Sequence, residues 1–228
     1  MRVQSETELV SFQDLTVRFR RASEEPRRLL LLIHGWTGDE NSMWVFVRNF
    51  DPHYWLVAPR APYATSPSGY SWRPAHGHAG QGPTFDDLKP SAETLLRFVD
   101  AYAAENQLDP AQFDAIGFSQ GAVLVATLAL LHPERIGRAG MLSGFLPAGA
   151  EPLISIQPLH GKPFFVAHGT HDTMVPIEIG RRSVQLLEQA GADVTYCEDD
   201  VGHKLSAGCM RALQAYFAWP AVLTKPFI

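Results

Sequence analysis

Cysteine is nearly absent: Cys197 and Cys209 are the only two in 228 residues. Two thiols in a chain this long do not make a disulfide framework. One falls in an expected strand and the other in an expected helix, so both read as buried free thiols, which suit a reducing compartment. A long apolar run is missing too. The longest, around residues 124–131, is too short to span a bilayer. The opening Met1-Arg2-Val3-Gln4-Ser5-Glu6 has no apolar core of a signal peptide. The expectation is a soluble, cytoplasmic protein without stable membrane insertion. Nor is there a basic stripe. The net charge is −5, and charged residues are scattered apart from pairs such as Arg27-Arg28 and Arg181-Arg182. That argues against nucleic acid as a partner. Repeats and low-complexity linkers are lacking as well, so residues 1–228 read as a single domain.

What is present is alternation of strand-like and helix-like segments. Residues 15–19 alternate polar and apolar and read as an early antiparallel strand. Residues 29–33, Leu-Leu-Leu-Leu-Ile, are apolar throughout, as a strand buried on both faces should be. A short helix is expected over 41–50 and a second buried strand over 54–58, stopped by Pro59. Leu95, Val99 and Tyr102 recur at helical spacing, giving a helix over 90–106. Further strands are expected at 113–118, 139–142, 164–167 and 194–197, and helices at 120–131, 177–190 and 207–219. This order implies crossover units: an α/β fold with a mostly parallel twisted sheet and helices on both faces. Two long Pro-rich stretches, 59–83 and 146–162, fall at the C-terminal ends of strands, the edge where open α/β sheets bind ligands.

Gly117-Phe118-Ser119-Gln120-Gly121 joins one of those strands to an apolar helix. A serine at the apex of such a turn stands at the rim of the sheet beside the first N–H groups of a helix, which favour negative charge. A serine hydroxyl needs a general base, and the base needs an orienting carboxylate. In chain order the acid and then the histidine follow the nucleophile, each at a strand end. The first acid after a later strand is Asp172, and the first histidine after the final strand is His203. Among the nine histidines, His168 and His171 share the loop of Asp172 and read as shaping it; His132 ends a helix, and His53 and His160 read as surface residues. His76-Gly77-His78 lacks a carboxylate or cysteine at metal-ligand spacing, so neither metal nor cofactor is expected. Glu198, Asp199 and Asp200 lie one strand too late for the acid. For an oxyanion hole, the backbone N–H of Gln120 supplies one donor and that of Trp36, in His34-Gly35-Trp36-Thr37-Gly38, the second. His34 is expected to brace that loop.

Several separated segments then agree with one family. They are Leu32-Ile33-His34-Gly35, Ala58-Pro59-Arg60-Ala61-Pro62 leading to Gly69-Tyr70-Ser71-Trp72, Gly117-Phe118-Ser119-Gln120-Gly121, Leu142-Ser143-Gly144-Phe145-Leu146-Pro147, His168-Gly169-Thr170-His171-Asp172 and Gly202-His203. The chain resembles the small carboxylesterase/phospholipase group of α/β-hydrolases, which includes the acyl-protein thioesterases. The resemblance implies an α/β-hydrolase fold without a large cap domain. It assigns Ser119, Asp172 and His203 to a catalytic triad, and the amides of Trp36 and Gln120 to the oxyanion hole. The implied activity is hydrolysis of short- to medium-chain acyl esters through an acyl-enzyme. Tyr70, Trp72 and Phe145 are candidate pocket walls, and the partner is a small-molecule ester met by a monomer or homodimer. Thioesterase members usually carry leucine where this chain has Trp36, and that indole is expected to narrow the acyl pocket. The alternative readings are an acyl-protein or acyl-CoA thioesterase or lysophospholipase, and a non-catalytic module that binds a small apolar ligand.

Overall fold

A computed structural model describes residues 6–74 and 82–218. The chain opens with a hairpin, β1 (Glu8–Phe12) and β2 (Leu15–Arg20). It continues through β3 (Arg28–Ile33), the single-turn α1 (Trp44–Val47), β4 (Tyr54–Pro59) and a two-residue ribbon of β5 (Tyr63–Ala64) and β6 (Tyr70–Ser71). The long α2 (Phe85–Glu105) is followed by β7 (Phe113–Phe118), α3 (Gln120–Leu131), β8 (Ile136–Leu142) and the short α4 (Glu151–Ile154). The last elements are β9 (Pro163–Gly169), α5 (Ile177–Gln189), β10 (Asp193–Asp199) and α6 (Ala207–Tyr216). Eight strands form one sheet in the order β1-β2-β4-β3-β7-β8-β9-β10. All neighbours from β4 to β10 pair in parallel, and β1 and β2 close one edge antiparallel.

The apolar strands lie where their composition sends them. Residues 29–33 of β3 are all buried, with β4 on one side and β7 on the other. One large core cluster joins the sheet to α2, α3 and α5, and a second joins it to α1 and α6. α3 has no polar face because α2 covers it and the sheet supports it; every residue from Gln120 to Leu130 is buried. The strand order reverses between β3 and β7. The crevice above that reversal, outside the strands' C-terminal ends, is where this architecture holds ligands.

Two helices differ from expectation for local reasons. α2 starts at Phe85 rather than at residue 90, because Thr84 and Asp87 form a reciprocal cap: Asp87 N–H donates to Thr84 Oγ1 at 3.2 Å and Thr84 N–H to Asp87 Oδ2 at 2.8 Å. Pro90 is tolerated inside the helix, near its N-terminal end. The helix expected over 41–50 shrinks to α1. Asp39 holds the preceding residues in turns, its Oδ1 accepting from Asn41 N–H at 2.9 Å and from Ser42 Oγ at 3.0 Å. Among the described residues no helix is long and apolar enough to cross a membrane.

Cys197 and Cys209 are not free thiols but a disulfide. β10 is the edge strand, and after one loop α6 returns alongside it. The two Cα atoms come within 5.7 Å, inside the range a disulfide bridges. Free thiols therefore no longer argue for a reducing compartment.

Candidate active site

Ser119 sits between β7 and α3 with φ 52° and ψ −118°, a conformation that a non-glycine residue holds only under the constraint of its surroundings. The constraint is backbone packed on backbone. A Cβ on Gly121 would meet the Ile33 carbonyl oxygen at 2.1 Å, so only glycine lets α3 approach β3 this closely. A Cβ on Gly35 would lie 3.2 Å from Ser119 Cβ, which brings the loop after β3 directly against the serine turn. Ser119 N–H donates to the Leu142 carbonyl at 2.9 Å, tying the turn to the end of β8.

Asp172 and His203 meet across the ends of β9 and β10. Nδ1 of His203 lies 2.7 Å from Oδ2 of Asp172. The aspartate side chain is buried, and its Oδ1 accepts the N–H groups of Met174 and Val175, each at 2.9 Å. Only donors face this carboxylate, which suits it to hold an imidazole by its Nδ1–H. The His203 ring packs on that of Phe118, centroids 4.9 Å apart, and Phe118 directly precedes Ser119. The serine turn, the histidine and the acid thus occupy one edge of the sheet.

The loop from His34 to Gly38 is braced as expected. Ala61 N–H donates to His34 Nε2 at 3.0 Å, so that nitrogen is an acceptor; Nδ1 carries the proton and donates to the Gly35 carbonyl at 2.7 Å. Burial holds the His34 pKa below the ordinary histidine value. Glu40 grips Arg60 through two contacts of 2.6 and 2.9 Å, and the hydrogen bond from Arg60 keeps the glutamate below the usual carboxylate range. Among the described residues, the Trp36 N–H and the Gln120 N–H have no acceptor. Gln120 opens α3, where an N–H has no helical partner.

The pocket candidates divide. Phe145 is half-buried and lines a cleft of about 450 Å³ with Gly82, Pro83, Leu146, Ile154 and Leu186. It follows Gly144, whose Cβ position would be 3.1 Å from the Ser119 carbonyl oxygen. Tyr70 is half-buried, with Arg60 over its ring at 4.7 Å. Trp72 is core instead of wall: it is 2% exposed, donates its indole N–H to the His34 carbonyl at 2.8 Å, and has almost no surface to offer a substrate. Trp36 is 59% exposed, so its indole does not fill a buried acyl pocket.

The rival histidines and acids are engaged elsewhere. His171 Nδ1 meets Asp200 at 2.6 Å, His132 meets Glu93 at 3.0 Å, and Glu198 pairs with Arg181 at 2.6 Å. Among the described residues no group of three His, Cys, Asp or Glu is arranged to hold a metal ion; His76 and His78 lie outside them. His168, read as shaping the Asp172 loop, is buried and meets the Val175 carbonyl at 2.8 Å. Two features escaped the sequence reading: the Cys197–Cys209 bond and the Gln120 side chain, which anchors the segment after β6.

A family model for phospholipases and carboxylesterases matches residues 17–219. The chain belongs to this phospholipase/carboxylesterase family. It is 28% identical to an acyl-protein thioesterase 1 of Kluyveromyces lactis, an alignment covering 76% of this chain and 82% of that protein. It is 26% identical to a probable carboxylesterase of Oryza sativa subsp. japonica, over 86% of this chain and 78% of the relative. The carboxylesterase from Mesorhizobium loti has the same fold, with a TM-score of 0.80 at 23% identity over 94% of this chain and 99% of that one. The α/β-hydrolase architecture expected from sequence is therefore the architecture of this family member.

Proposed function

We propose that this protein is a serine carboxylesterase acting on short- to medium-chain acyl esters. The observation that carries the reading is the Asp172–His203 contact of 2.7 Å, with the imidazole packed on Phe118 beside the Ser119 turn. His203 takes the proton of Ser119 as the hydroxyl oxygen attacks the acyl carbon. Asp172 keeps the imidazole in the tautomer that presents Nε2 and stabilises the cation that forms. The oxyanion is taken up by the N–H groups of Trp36 and Gln120, which have no other acceptor among the described residues. His203 then protonates the leaving alcohol, the Ser119 ester remains, and water repeats the cycle to release the acid. The cleft beside Phe145 suits an apolar acyl or aryl group. Hydrolysis of an aryl butyrate tests this. Ser119→Ala should lose on the order of a thousandfold or more in kcat, and undiminished turnover would sink the proposal.

A second reading rests on the similarity to the yeast acyl-protein thioesterase: the same three side chains would cleave a thioester. Rates on matched oxygen esters and thioesters, from two to sixteen carbons, separate the two. A fluorophosphonate that labels Ser119 separates either from a module that only binds.

A further inference from the structure

The disulfide spans the loop that carries His203. Cys197 lies in the second half of β10 and Cys209 in the first turn of α6, and His203 stands six residues from each. Entry and exit of the loop are thus held with their Cα atoms 5.7 Å apart. The other ties are non-covalent. Among the described residues β10 is an edge strand, hydrogen-bonded only to β9, and none of its residues is fully buried. Within the loop, Val201 N–H bonds Asp199 and Lys204 N–H bonds Gly202, both local contacts. Three contacts cross from the loop after β9: Thr170 N–H to the Asp199 carbonyl at 2.9 Å, His171 N–H to the Val201 carbonyl at 3.0 Å, and His171 Nδ1 to Asp200 Oδ1 at 2.6 Å. Among the described residues, the His203 side chain is held by Asp172 and by the Phe118 ring.

We propose that the Cys197–Cys209 disulfide is a redox-modifiable clamp on the catalytic-histidine loop, opened by a dithiol reductant, with ester hydrolysis fast in the bonded form and slow in the dithiol form. The proposal rests on the esterase reading above. The chemistry is ordinary exchange. A thiolate of the reductant attacks Sγ of Cys197, the more exposed partner, since Cys209 is 2% exposed. The sulfur–sulfur bond breaks and Cys209 leaves as a thiolate that takes up a proton. The reductant's second thiol attacks the mixed disulfide and releases Cys197, which is protonated in turn. Two electrons and two protons pass to the pair, and the reductant ends as its own disulfide. Once open, the edge strand and α6 are joined near the loop by packing and by the Ser206–Asp199 side-chain hydrogen bond, without a covalent tie. His203 is then free to drift from Ser119, and a misplacement of about an ångström at a reacting group costs on the order of a hundredfold.

The test uses the full chain. Free thiols are counted with a maleimide before and after incubation with dithiothreitol, and the rate on an aryl butyrate is followed in the same samples. The bonded protein should take up no maleimide and the reduced protein two. kcat should fall on the order of tenfold to a hundredfold on reduction with KM little changed, and return on reoxidation. Hydrogen exchange of the amides at 200–206 should quicken in the reduced form while those of β7 and α3 stay protected. The Cys197→Ser/Cys209→Ser double variant should match the reduced protein. Two reactive thiols in the untreated protein, or equal rates and equal exchange in both forms, would overturn the clamp. An untreated protein with no ester turnover at all would instead remove the esterase reading, and the exchange measurement would still decide whether the bond orders the loop.

Discussion

Oε1 of Gln120 accepts the backbone N–H of Trp72 at 3.0 Å, so the residue after Ser119 also ties down the segment after β6. Its amide lies close to Ser71 Oγ as well, with Nε2 3.2 Å away. Trp72 in turn passes its indole N–H to the His34 carbonyl, linking this anchor to the loop of Trp36. Gln120→Leu keeps the volume and removes the acceptor, leaving the buried Trp72 N–H unpaired, at a cost of about 1–3 kcal/mol. The expected outcome is a lower denaturation midpoint together with a fall in ester turnover smaller than the hundredfold or more that follows loss of an oxyanion donor. Guanidinium melts and initial rates on the same preparation check this. A variant as stable as the parent would show that the anchor is dispensable.

His168 stands behind Asp172. Its ring is buried, Nε2 donates to the Val175 carbonyl at 2.8 Å, and the same nitrogen lies 3.5 Å from Asp172 Oδ2. Because Nε2 carries the proton, the ring donates to Val175 and so holds the turn from 172 to 175 that feeds Oδ1. His168→Leu should lower kcat on the order of tenfold with KM little changed, since it loosens the orienting carboxylate without touching the substrate. His168→Gln, which keeps an N–H donor, should recover part of the loss. If the leucine variant raises KM and leaves kcat alone, His168 does not act through Asp172.

Much of this site was legible in the sequence because its demands are local. A tight strand–helix turn needs the glycines around Ser119, and the acid and histidine follow at the ends of β9 and β10. The parallel sheet was legible for a similar reason: strands such as residues 29–33, buried on both faces, have no polar side to hide. What escaped depends on partners far apart in the chain. Trp72 read as a pocket wall because aromatic residues in a long loop suit one, yet the carbonyl of His34 and the side chain of Gln120 draw it into the core. The thiols read as free because a strand cysteine and a helix cysteine carry no sign that edge strand and helix will meet. α2 was shortened because Pro90 looked like a start, while the capping box of Thr84 and Asp87 lay just upstream.

His34 makes stability depend on pH in a definite direction. Its folded pKa lies below the unfolded value because burial penalises the charged ring, so the unfolded chain binds the proton more readily. The stabilisation from the neutral, hydrogen-bonded ring is fully present above the unfolded pKa of about 6.5 and is lost as pH falls below it, at up to 1.4 kcal/mol per pH unit. The denaturation midpoint of the parent should therefore drop more between pH 8 and pH 5.5 than that of His34→Gln, which cannot titrate. Parallel curves for the two proteins would mean that His34 is not what destabilises the fold in acid.

At the opposite end of β7 from Ser119, Asp114 is wholly buried among cations. Its Oδ1 meets Arg28 at 2.6 Å, its Oδ2 meets Arg138 Nε at 3.1 Å, and Tyr54 donates its hydroxyl to Oδ2 at 2.6 Å. Arg138 N–H also bonds Oδ1 at 2.7 Å. One carboxylate thus balances two guanidinium groups between β3, β4, β7 and β8. Removing the anion while the cations stay leaves buried charge uncompensated, which costs roughly 3–5 kcal/mol. Asp114→Asn should shift the unfolding midpoint by that amount. Five residues of extended strand, roughly 16 Å, separate position 114 from Ser119. The folded fraction should accordingly hydrolyse ester at the parental rate. Unfolding curves and rates on one sample read both quantities. A loss of activity without a loss of stability would mean that the charge cluster reaches the site through the sheet, and a midpoint shift worth less than about 1 kcal/mol would mean that the arginines find water or another anion when Asp114 is gone.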